Sequence, residues 1–389
     1  MKNFLTFFVL FWSFIASDQL GTECPADKKA VVCYWGSWSI YRPGLGNYKI
    51  EHIDLEYCTH FVYTFAGINL NGVIDSLDYH NDINLGGYKK VIALKEQYPC
   101  AKILLAIGGW NEGSEKYSFM AETEERRKAF VESVVRFVIH FNFDGFDINW
   151  EYPTERGGVD SDKENYILLL QLLHSELSKR KRILTAPVPA NLYIISKAYE
   201  IEEMCNYLDL VNIMGYDMQQ RDKTSVHAPL KRENSDPSKK ETLETVVQHL
   251  LKSGCSKSKL VLGIPAFGRS YTLYSSYSSG LGALVKGLGK PGNFSQSEGF
   301  LGYNEICEQV RSENGWKITY LRNSAAKYAS KGDQWISYDD AETVQQKVRF
   351  VKEKDLAGIM FWSIDTDDFH GDCFGESYPL LSAINRELY

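Results

Sequence analysis

The stretch FDGFDINWEYP, which begins at Phe143 and ends at Pro153, constrains the fold of this 389-residue chain more than any other. Within it Asp147, Asn149 and Glu151 occupy alternate positions, and the residues between them are apolar. Because successive side chains of a β-strand point to opposite sides, the three polar groups would share one face. Such a strand suits the wall of a parallel barrel, whose functional residues lie at the carboxyl ends of its strands.

The same polar face has a purely structural interpretation, in which the three side chains form a core hydrogen-bond network that only fixes strand register. Two acids and an amide are costly to remove from water for that purpose alone. The segment also ends in Trp-Glu-Tyr-Pro, which would carry Glu151 into the loops above a barrel. We therefore interpret the stretch as part of a ligand site.

Short apolar runs recur along the chain, each followed by a longer stretch with helical spacing, which predicts parallel strands joined by helical crossovers. The predicted strands are residues 30–36, 60–66, 102–107, 144–149, 183–187, 208–214, 259–264 and 358–363. Eight strands are what a closed barrel needs, so we predict an α/β fold of the (β/α)8 TIM-barrel type. An open doubly wound sheet is the alternative, but no GxGxxG follows the first strand.

Three stretches between the strands carry apolar residues at intervals of three and four, which predicts amphipathic helices around the barrel. Their repeating residues are Phe130, Val134, Phe137, Val138 and Phe141; Tyr166, Leu169, Leu170, Leu173 and Leu177; and Leu243, Val246, Val247, Leu250 and Leu251. Gly254 follows the third stretch and suits the left-handed turn that ends many helices.

The spacing between the seventh and eighth predicted strands is far longer than one helix requires. Glycine-rich turns and strand-like pieces at 317–321 and 335–338 fall in this interval. We predict that a small α+β lobe, about residues 270–338, is inserted between strands 7 and 8. At the carboxyl face of the barrel it would deepen a flat mouth into a groove.

Near its start the chain carries one basic residue, Lys2, followed by an apolar run from Phe4 to Ile15 that is too short to span a bilayer. This pattern is typical of a secretory signal peptide, here residues 1–17, and leaves 18–389 as the mature domain. A single membrane anchor is the alternative interpretation. No later segment is long and apolar enough for a membrane, so we expect a secreted, extracellular monomer.

The formal net charge is -7, and basic residues are scattered among acidic ones, which argues against a nucleic-acid partner and favours an uncharged ligand.

Eight cysteines without a CxxC pair or an HExxH helix favour disulfides over metal sites in a secreted chain. We predict no metal and no cofactor. Asn293 begins the single N-x-S/T sequon, a candidate for N-glycosylation.

The segment from Asp144 to Glu151 resembles the DxxDxDxE signature of glycoside hydrolase family 18, the chitinases and their catalytically altered relatives. The resemblance covers nearly the whole mature chain. Its further motifs are VVCYWGSW at 31–38, HFVYTFAGIN at 60–69, ILLAIGGW at 103–110, VNIMGYD at 211–217, GIPAFGRSY at 263–271 and GIMFWSID at 358–365. Several independent motifs in the right order are more specific than the acidic signature alone.

This resemblance implies a retaining, substrate-assisted hydrolysis of β-1,4-linked N-acetylglucosamine, with chitin or chitooligosaccharides as the partner. The N-acetyl group of the substrate attacks the anomeric carbon, and one glutamate protonates the leaving oxygen. The implied catalytic residues are Glu151 as acid and then base, Asp147 as its electrostatic partner, Asn149, and Tyr216 with Asp217 at the acetamido group. The implied substrate-binding residues are Tyr34, Phe65, Trp110, Met214, Arg269 and Trp362.

Two positions depart from the family pattern. The third acid of the signature is Asn149 here, which can accept a hydrogen bond but carries no charge. At about 4 Å and an effective dielectric constant near 20, one charge pair is worth roughly 4 kcal/mol, about a thousandfold in rate, as an upper bound. After Asp217 the chain reads MQQRDKTSVHAPL, without the tryptophan that the family commonly places there.

The sequence leaves three functional hypotheses open. The first is a secreted chitinase that Asn149 slows, and the second is a chitin-binding lectin or signalling protein that has lost turnover. A storage or structural role without saturable sugar binding is a third.

The resemblance also implies disulfides Cys33–Cys58 and Cys307–Cys373. Cys24, Cys100, Cys205 and Cys255 allow three pairings, which the sequence leaves open.

Overall fold

The structure is a computed structural model that describes Cys24 and residues 28–237, 241–311 and 315–389. The predicted signal peptide, residues 1–17, lies outside the described residues. In chain order the strands are β1 (Ala30–Gly36), β2 (His60–Ile68), β3 (Ile74–Ser76), β4 (Lys102–Gly108), β5 (Gly145–Asn149), β6 (Ile183–Pro189), β7 (Leu210–Met214), β8 (Leu260–Pro265), β9 (Phe267–Leu273), β10 (Val285–Leu288), β11 (Phe300–Gly302), β12 (Lys317–Leu321), β13 (Ala326–Lys331), β14 (Gln334–Tyr338) and β15 (Gly358–Trp362). The α-helices are α1 (Gly87–Ala93), α2 (Glu115–Ala121), α3 (Glu124–Phe141), α4 (Asp162–Ser178), α5 (Leu192–Ala198), α6 (Ile201–Tyr207), α7 (Leu243–Lys252), α8 (Tyr303–Gln309), α9 (Ala341–Glu353) and α10 (Pro379–Leu388).

Eight of these strands form a closed parallel barrel. Around it the order is β1, β15, β8, β7, β6, β5, β4 and β2, and β2 pairs with β1 to close the ring. The first and last barrel strands are therefore neighbours, with Ala30 opposite Gly358 in parallel register. The predicted (β/α)8 TIM barrel is confirmed, and each of the eight predicted strands overlaps one barrel strand.

The barrel strands bury both of their faces. Inside the barrel lies a compact apolar cluster that includes Val32, Val62, Leu104 and Val261. A much larger cluster fills the space between the strands and the surrounding helices. The predicted amphipathic stretches form α3, α4 and α7, and Gly254 takes a φ of 93° after α7, as the left-handed helix end requires.

An antiparallel sheet is inserted between β8 and β15. Its strands run in the order β10, β9, β14, β13 and β12, β11 pairs with β9, and α8 follows β11. The first of these strands begins at Phe267, directly after β8. We refer to this sheet with α8 as the lobe.

A buried ion pair joins the lobe to the barrel's helical layer. Asp339 directly follows β14, and Lys347 lies on α9. The Lys347 ammonium donates to both carboxylate oxygens of Asp339 at 2.6 and 2.7 Å. The side chains are 0% and 1% exposed, so each charge depends on the other for its compensation.

All eight cysteines are paired. The structure contains Cys33–Cys58 and Cys307–Cys373, the two bridges that the resemblance implied, and joins Cys24 to Cys100 and Cys205 to Cys255. Among the described residues, no helix combines the length and the apolar character needed to cross a membrane.

Candidate active site

Asp147 and Asn149 of β5, with Glu151 just beyond the strand, lie at the open end of the barrel, and the deepest of the three is Asp147. It is fully buried and accepts hydrogen bonds from the Tyr34 hydroxyl at 3.1 Å and the Thr185 hydroxyl at 2.5 Å. The Asn212 amide lies 3.5 Å away. Burial raises the pKa of Asp147 to about 6, and the three donors oppose that rise because they favour the carboxylate.

Glu151 lies two residues beyond the end of β5 and is 8% exposed. Burial raises the pKa of its carboxyl to about 7, and the nearby negative charge of Asp217 contributes in the same direction. Tyr152, Arg156 and Asn149 favour the ionised form and limit the rise. The carboxyl therefore holds its proton up to near-neutral pH, as a general acid requires.

Asn149 occupies the position between these two acids and is 3% exposed. Its side chain is within hydrogen-bonding reach of Glu151, whereas its carbonyl oxygen Oδ1 has no partner within the residues that the structure describes. Buried polar atoms are nearly always hydrogen-bonded. This oxygen is consequently available to accept a hydrogen bond from a bound ligand.

Tyr216 and Asp217 follow the end of β7, which is separated from β5 by β6 alone. Burial raises the pKa of Tyr216 well above its usual value, so the hydroxyl keeps its proton and can donate a hydrogen bond. Asp217 has a φ of 62° and forms two parallel hydrogen bonds with Arg269 of β9, Nε to Oδ1 at 2.6 Å and the second nitrogen to Oδ2 at 2.7 Å. The lobe thereby contributes a cation to the barrel site.

Aromatic rings form the floor and wall beside these groups. The Trp362 ring lies 5.5 Å from Tyr34, 6.0 Å from Phe65 and 6.4 Å from Trp38, measured between centroids. Trp38 and Phe65 stack with an interplanar angle of 15°. Rings with exposed faces in this arrangement can pack against the apolar faces of sugar rings.

Trp110 follows β4, the neighbour of β2 in the barrel, and is 59% exposed. The Arg156 guanidinium lies 3.6 Å from the centre of its ring and donates to the Trp110 carbonyl oxygen at 2.6 Å. The same guanidinium nitrogen donates to the carbonyl oxygen of Glu151 at 3.1 Å. Arg156 thus ties Trp110 to the backbone of the acid and covers one face of the indole.

These groups surround one cleft of about 1580 Å³. Pockets for drug-sized ligands usually have volumes of about 300–1,000 Å³, so the cleft accommodates a longer, extended ligand. Ten of the eleven predicted catalytic and binding residues line it, and Asp147 lies beneath them. The ten are Tyr34, Phe65, Trp110, Asn149, Glu151, Met214, Tyr216, Asp217, Arg269 and Trp362.

Beyond Asp217 the cleft wall is polar and aliphatic. Met218, Gln219, Gln220 and Arg221 line it, in the segment where the family tryptophan is missing from the sequence. This part of the wall presents no indole to a sugar.

Sequence reasoning missed four residues of the site. Trp38 ends the VVCYWGSW motif directly after a strand, and that exposed position is a signal that could have identified it. Thr185 and Asn212 are single polar residues in apolar strands, and Arg156 lies in a loop, so none of the three has a local pattern that indicates its partner.

Three further features lie away from the cleft: the first acid of the signature, the predicted glycosylation site and a cluster around one disulfide. Asp144 accepts from the backbone N–H of Ile103 at 2.8 Å and pairs with Lys95 at 2.7 Å, outside the barrel mouth. Asn293 is exposed on the lobe. Cys307, Asp368 and Cys373 approach each other closely, but the two sulfurs form a disulfide and are not free to bind a metal.

Acids at the end of a barrel strand, below an aromatic cleft, are the arrangement expected of a barrel glycosidase. The sequence profile of glycosyl hydrolases family 18 matches residues 30–367, so the chain belongs to that family. The endochitinase of Manduca sexta is 37% identical over 389 residues, which cover 96% of this chain and 70% of that protein.

Solved structures agree with this membership. The Ostrinia furnacalis Group IV chitinase in complex with allosamidin superposes with a TM-score of 0.90 at 36% identity, over 93% of this chain and 99% of that one. Human YKL-39, described as a pseudo-chitinase with retained chitooligosaccharide binding properties, superposes with a TM-score of 0.86 at 33% identity, over 92% and 99%. The structural relatives thus include both a chitinase and a pseudo-chitinase.

Proposed function

We propose that this protein is a secreted chitinase that hydrolyses β-1,4-linked N-acetylglucosamine chains with retention of configuration. The observation that carries the proposal is Glu151, a buried carboxyl at the open end of β5 with a pKa raised to about 7. At neutral pH, a glutamate carboxyl with an ordinary pKa would be ionised and would lack the proton that a general acid must donate. Pairing of all eight cysteines supports secretion, because disulfides persist in oxidising compartments.

In the first step Glu151 gives its proton to the glycosidic oxygen, and the bond from that oxygen to the anomeric carbon breaks. The carbonyl oxygen of the substrate's own acetamido group forms a bond to the anomeric carbon from the opposite face, which produces an oxazolinium ion. In the second step the Glu151 carboxylate takes a proton from water, which attacks the same carbon and restores the acetamido group. Two inversions give net retention.

The surrounding residues orient the acetamido group and balance its charge. The Tyr216 hydroxyl is a protonated donor that suits the acetamido oxygen, and the unpaired Oδ1 of Asn149 suits its N–H. Asp217 and Asp147 supply negative charge near the oxazolinium ion. Trp362 supports the sugar ring from below.

Because Asn149 is neutral, it weakens the compensation of the positive charge on the oxazolinium ion. The general acid, Glu151, is still present. Asp217 is ion-paired with Arg269, so part of its field is already neutralised before substrate arrives. Asp147 lies deeper, and with a pKa of about 6 its carboxyl is mostly ionised at neutral pH. It therefore supplies the remaining negative charge beneath the site. We therefore expect slow turnover rather than none.

The test is product release from chitopentaose by purified wild-type protein, Glu151→Gln and the control Glu353→Gln, an exposed carboxylate at the end of α9. We expect Glu151→Gln to lose roughly 10²–10⁴-fold in rate, the usual contribution of general acid–base catalysis, whereas the control retains wild-type activity. Products are identified by mass spectrometry. A wild-type protein that releases no more product than Glu151→Gln refutes the proposal.

A second candidate is a chitin-binding lectin, which the neutral Asn149 favours. The cleft and its aromatic rings would remain intact, because the amide has nearly the shape of the carboxylate it replaces. This candidate predicts saturable binding of chitopentaose by wild type and Glu151→Gln alike, measured by calorimetry, with no product from either protein.

A further inference from the structure

His227 is a buried polar side chain that the mechanism above does not use. It follows β7 in the chain and is 1% exposed. Neither ring nitrogen, Nδ1 or Nε2, forms a hydrogen bond to a side chain among residues 28–237, 241–311 and 315–389, and the polar group that acts on the ring is the Phe267 backbone. An unpaired buried donor or acceptor costs about 1–3 kcal/mol, a cost that an apolar ring of the same shape would avoid.

The backbone fixes this ring next to Asp217. Met218, the residue after Asp217, donates its N–H to the carbonyl oxygen of His227 at 2.9 Å. The N–H of His227 donates to the Ser337 hydroxyl at 3.2 Å, and its ring lies 5.2 Å from that of Phe267. As a result, Nδ1 of His227 lies 4.0 Å from Oδ1 of Asp217.

The surroundings keep His227 uncharged. The charged groups that act on it are Arg269 and Lys347, which are ion-paired with Asp217 and Asp339, and the Asp217 carboxylate lies 4.0 Å away. Burial lowers the pKa of His227 well below its usual value, and the cations of Arg269 and Lys347 lower it further. A neutral imidazole carries one N–H donor and one acceptor nitrogen.

Asp217 has both oxygens engaged by Arg269 in this structure. Each carboxylate oxygen has a second lone pair, so Oδ1 can accept a further hydrogen bond while both Arg269 bonds persist. A shift of about 1 Å towards the His227 ring brings Oδ1 within ordinary hydrogen-bond distance of Nδ1. The ring is thus placed to donate a further hydrogen bond to the Asp217 carboxylate after that small shift.

We propose that His227 is a positioning residue that holds Asp217 in its substrate-engaged position through a neutral N–H donor. This inference rests on the proposed function, since it assumes that Asp217 serves the acetamido group. A neutral donor fixes the carboxylate without placing another cation beside the oxazolinium ion. The hydrogen bond from His227 to Asp217 therefore stabilises the oxazolinium state, in which the substrate carries positive charge, more than it stabilises the bound substrate.

Two variants separate positioning from packing. His227→Phe keeps a ring against Phe267 but removes the donor, and His227→Asn keeps an N–H near the position of Nδ1. We expect His227→Phe to lower kcat roughly 10- to 100-fold, the value of a hydrogen bond to a charged group, with KM and the unfolding midpoint unchanged or the midpoint raised. His227→Asn should recover at least part of kcat.

The matched control is His174→Phe on α4, a histidine whose ring lies 6.1 Å from Tyr207 and outside the cleft. It should leave kcat unchanged. Wild-type kcat in His227→Phe, or an Asn variant no better than the Phe variant, overturns the inference.

A binding experiment keeps this result separate from failure of the proposed function. In the Glu151→Gln background, the probe is a thiazoline derivative of chitobiose, which mimics the oxazolinium intermediate, compared with chitotetraose. We expect His227→Phe to weaken binding of the thiazoline roughly tenfold or more and to leave chitotetraose binding unchanged, because the contact matters most at the charged state. Equal effects on both ligands, or none, overturn the inference even if the wild-type protein releases no product.

Discussion

At the residue scale, Asn149 differs from the aspartate of the family signature in charge and hardly in shape. We expect Asn149→Asp to raise kcat on chitopentaose by between about tenfold and a thousandfold, the upper limit being one charge pair at roughly 4 Å. The gain should be smaller than that limit because Asp147 and Asp217 already share the burden. Initial rates of product release measure it.

The matched control for this substitution is Asn149→Asp combined with Glu151→Gln. That double variant should be inactive, since an added carboxylate cannot replace the acid that protonates the leaving oxygen. If Asn149→Asp alone hydrolyses no faster than wild type, the missing charge does not limit the reaction.

The sequence predicted the inward residues of β5 because strand side chains alternate with a period of two, and that pattern is local. Thr185 and Asn212 reach Asp147 only because β6 and β7 follow β5 around the closed barrel. His227 lies in an irregular segment, where burial depends on the lobe. Contacts of this kind arise from closure of the fold, so no window of sequence contains them.

At the scale of elements, the Lys347–Asp339 pair joins α9 to the end of β14. Lys347→Met removes the cation and leaves a buried carboxylate without its partner. We expect a loss of about 3–5 kcal/mol in the free energy of unfolding, measured by urea denaturation, and recovery of much of it when Asp339→Asn is added. If the free energy of unfolding of Lys347→Met alone lies within about 1 kcal/mol of the wild-type value, the ion pair contributes little to stability.

The predicted elements agree with the structure where apolar periodicity is long and regular. The strand predicted at 317–321 is β12 as observed, and the three amphipathic stretches are α3, α4 and α7. The lobe sheet begins at Phe267 instead of near residue 270, because β9 continues from β8 without a turn signal between them. The three-residue strand β3 is too short to show alternation, and the partners of Cys24 and Cys205 depend on tertiary proximity.

At the scale of the whole molecule, the raised pKa of Glu151 couples pH to stability. The native carboxyl binds its proton more tightly than the unfolded chain does, because its pKa is about 7 instead of 4.5. Its contribution is therefore fully present below pH 4.5 and is lost as pH rises through 7. The linked change is about 3 kcal/mol in the free energy of unfolding.

The prediction is a difference between two proteins, which removes the contributions of other titrating groups. Glu151→Gln should become more stable relative to wild type between about pH 4.5 and pH 8, by up to about 3 kcal/mol. Urea denaturation at several pH values measures this, with Glu353→Gln as the exposed control. A difference that stays constant with pH would contradict a buried, protonated Glu151.

The aromatic floor of the cleft combines residues from the first and the last strand regions of the barrel. Trp38 follows the first barrel strand and Trp362 ends the last, and their rings lie 6.4 Å apart. During synthesis from the amino terminus, Glu151 emerges long before Trp362, so a growing chain carries this carboxyl without the complete aromatic floor of the cleft. Retention on a column of immobilised chitooligosaccharide would therefore distinguish finished, closed barrels from truncated or misfolded ones, and ligand capture would serve as a quality check on biosynthesis.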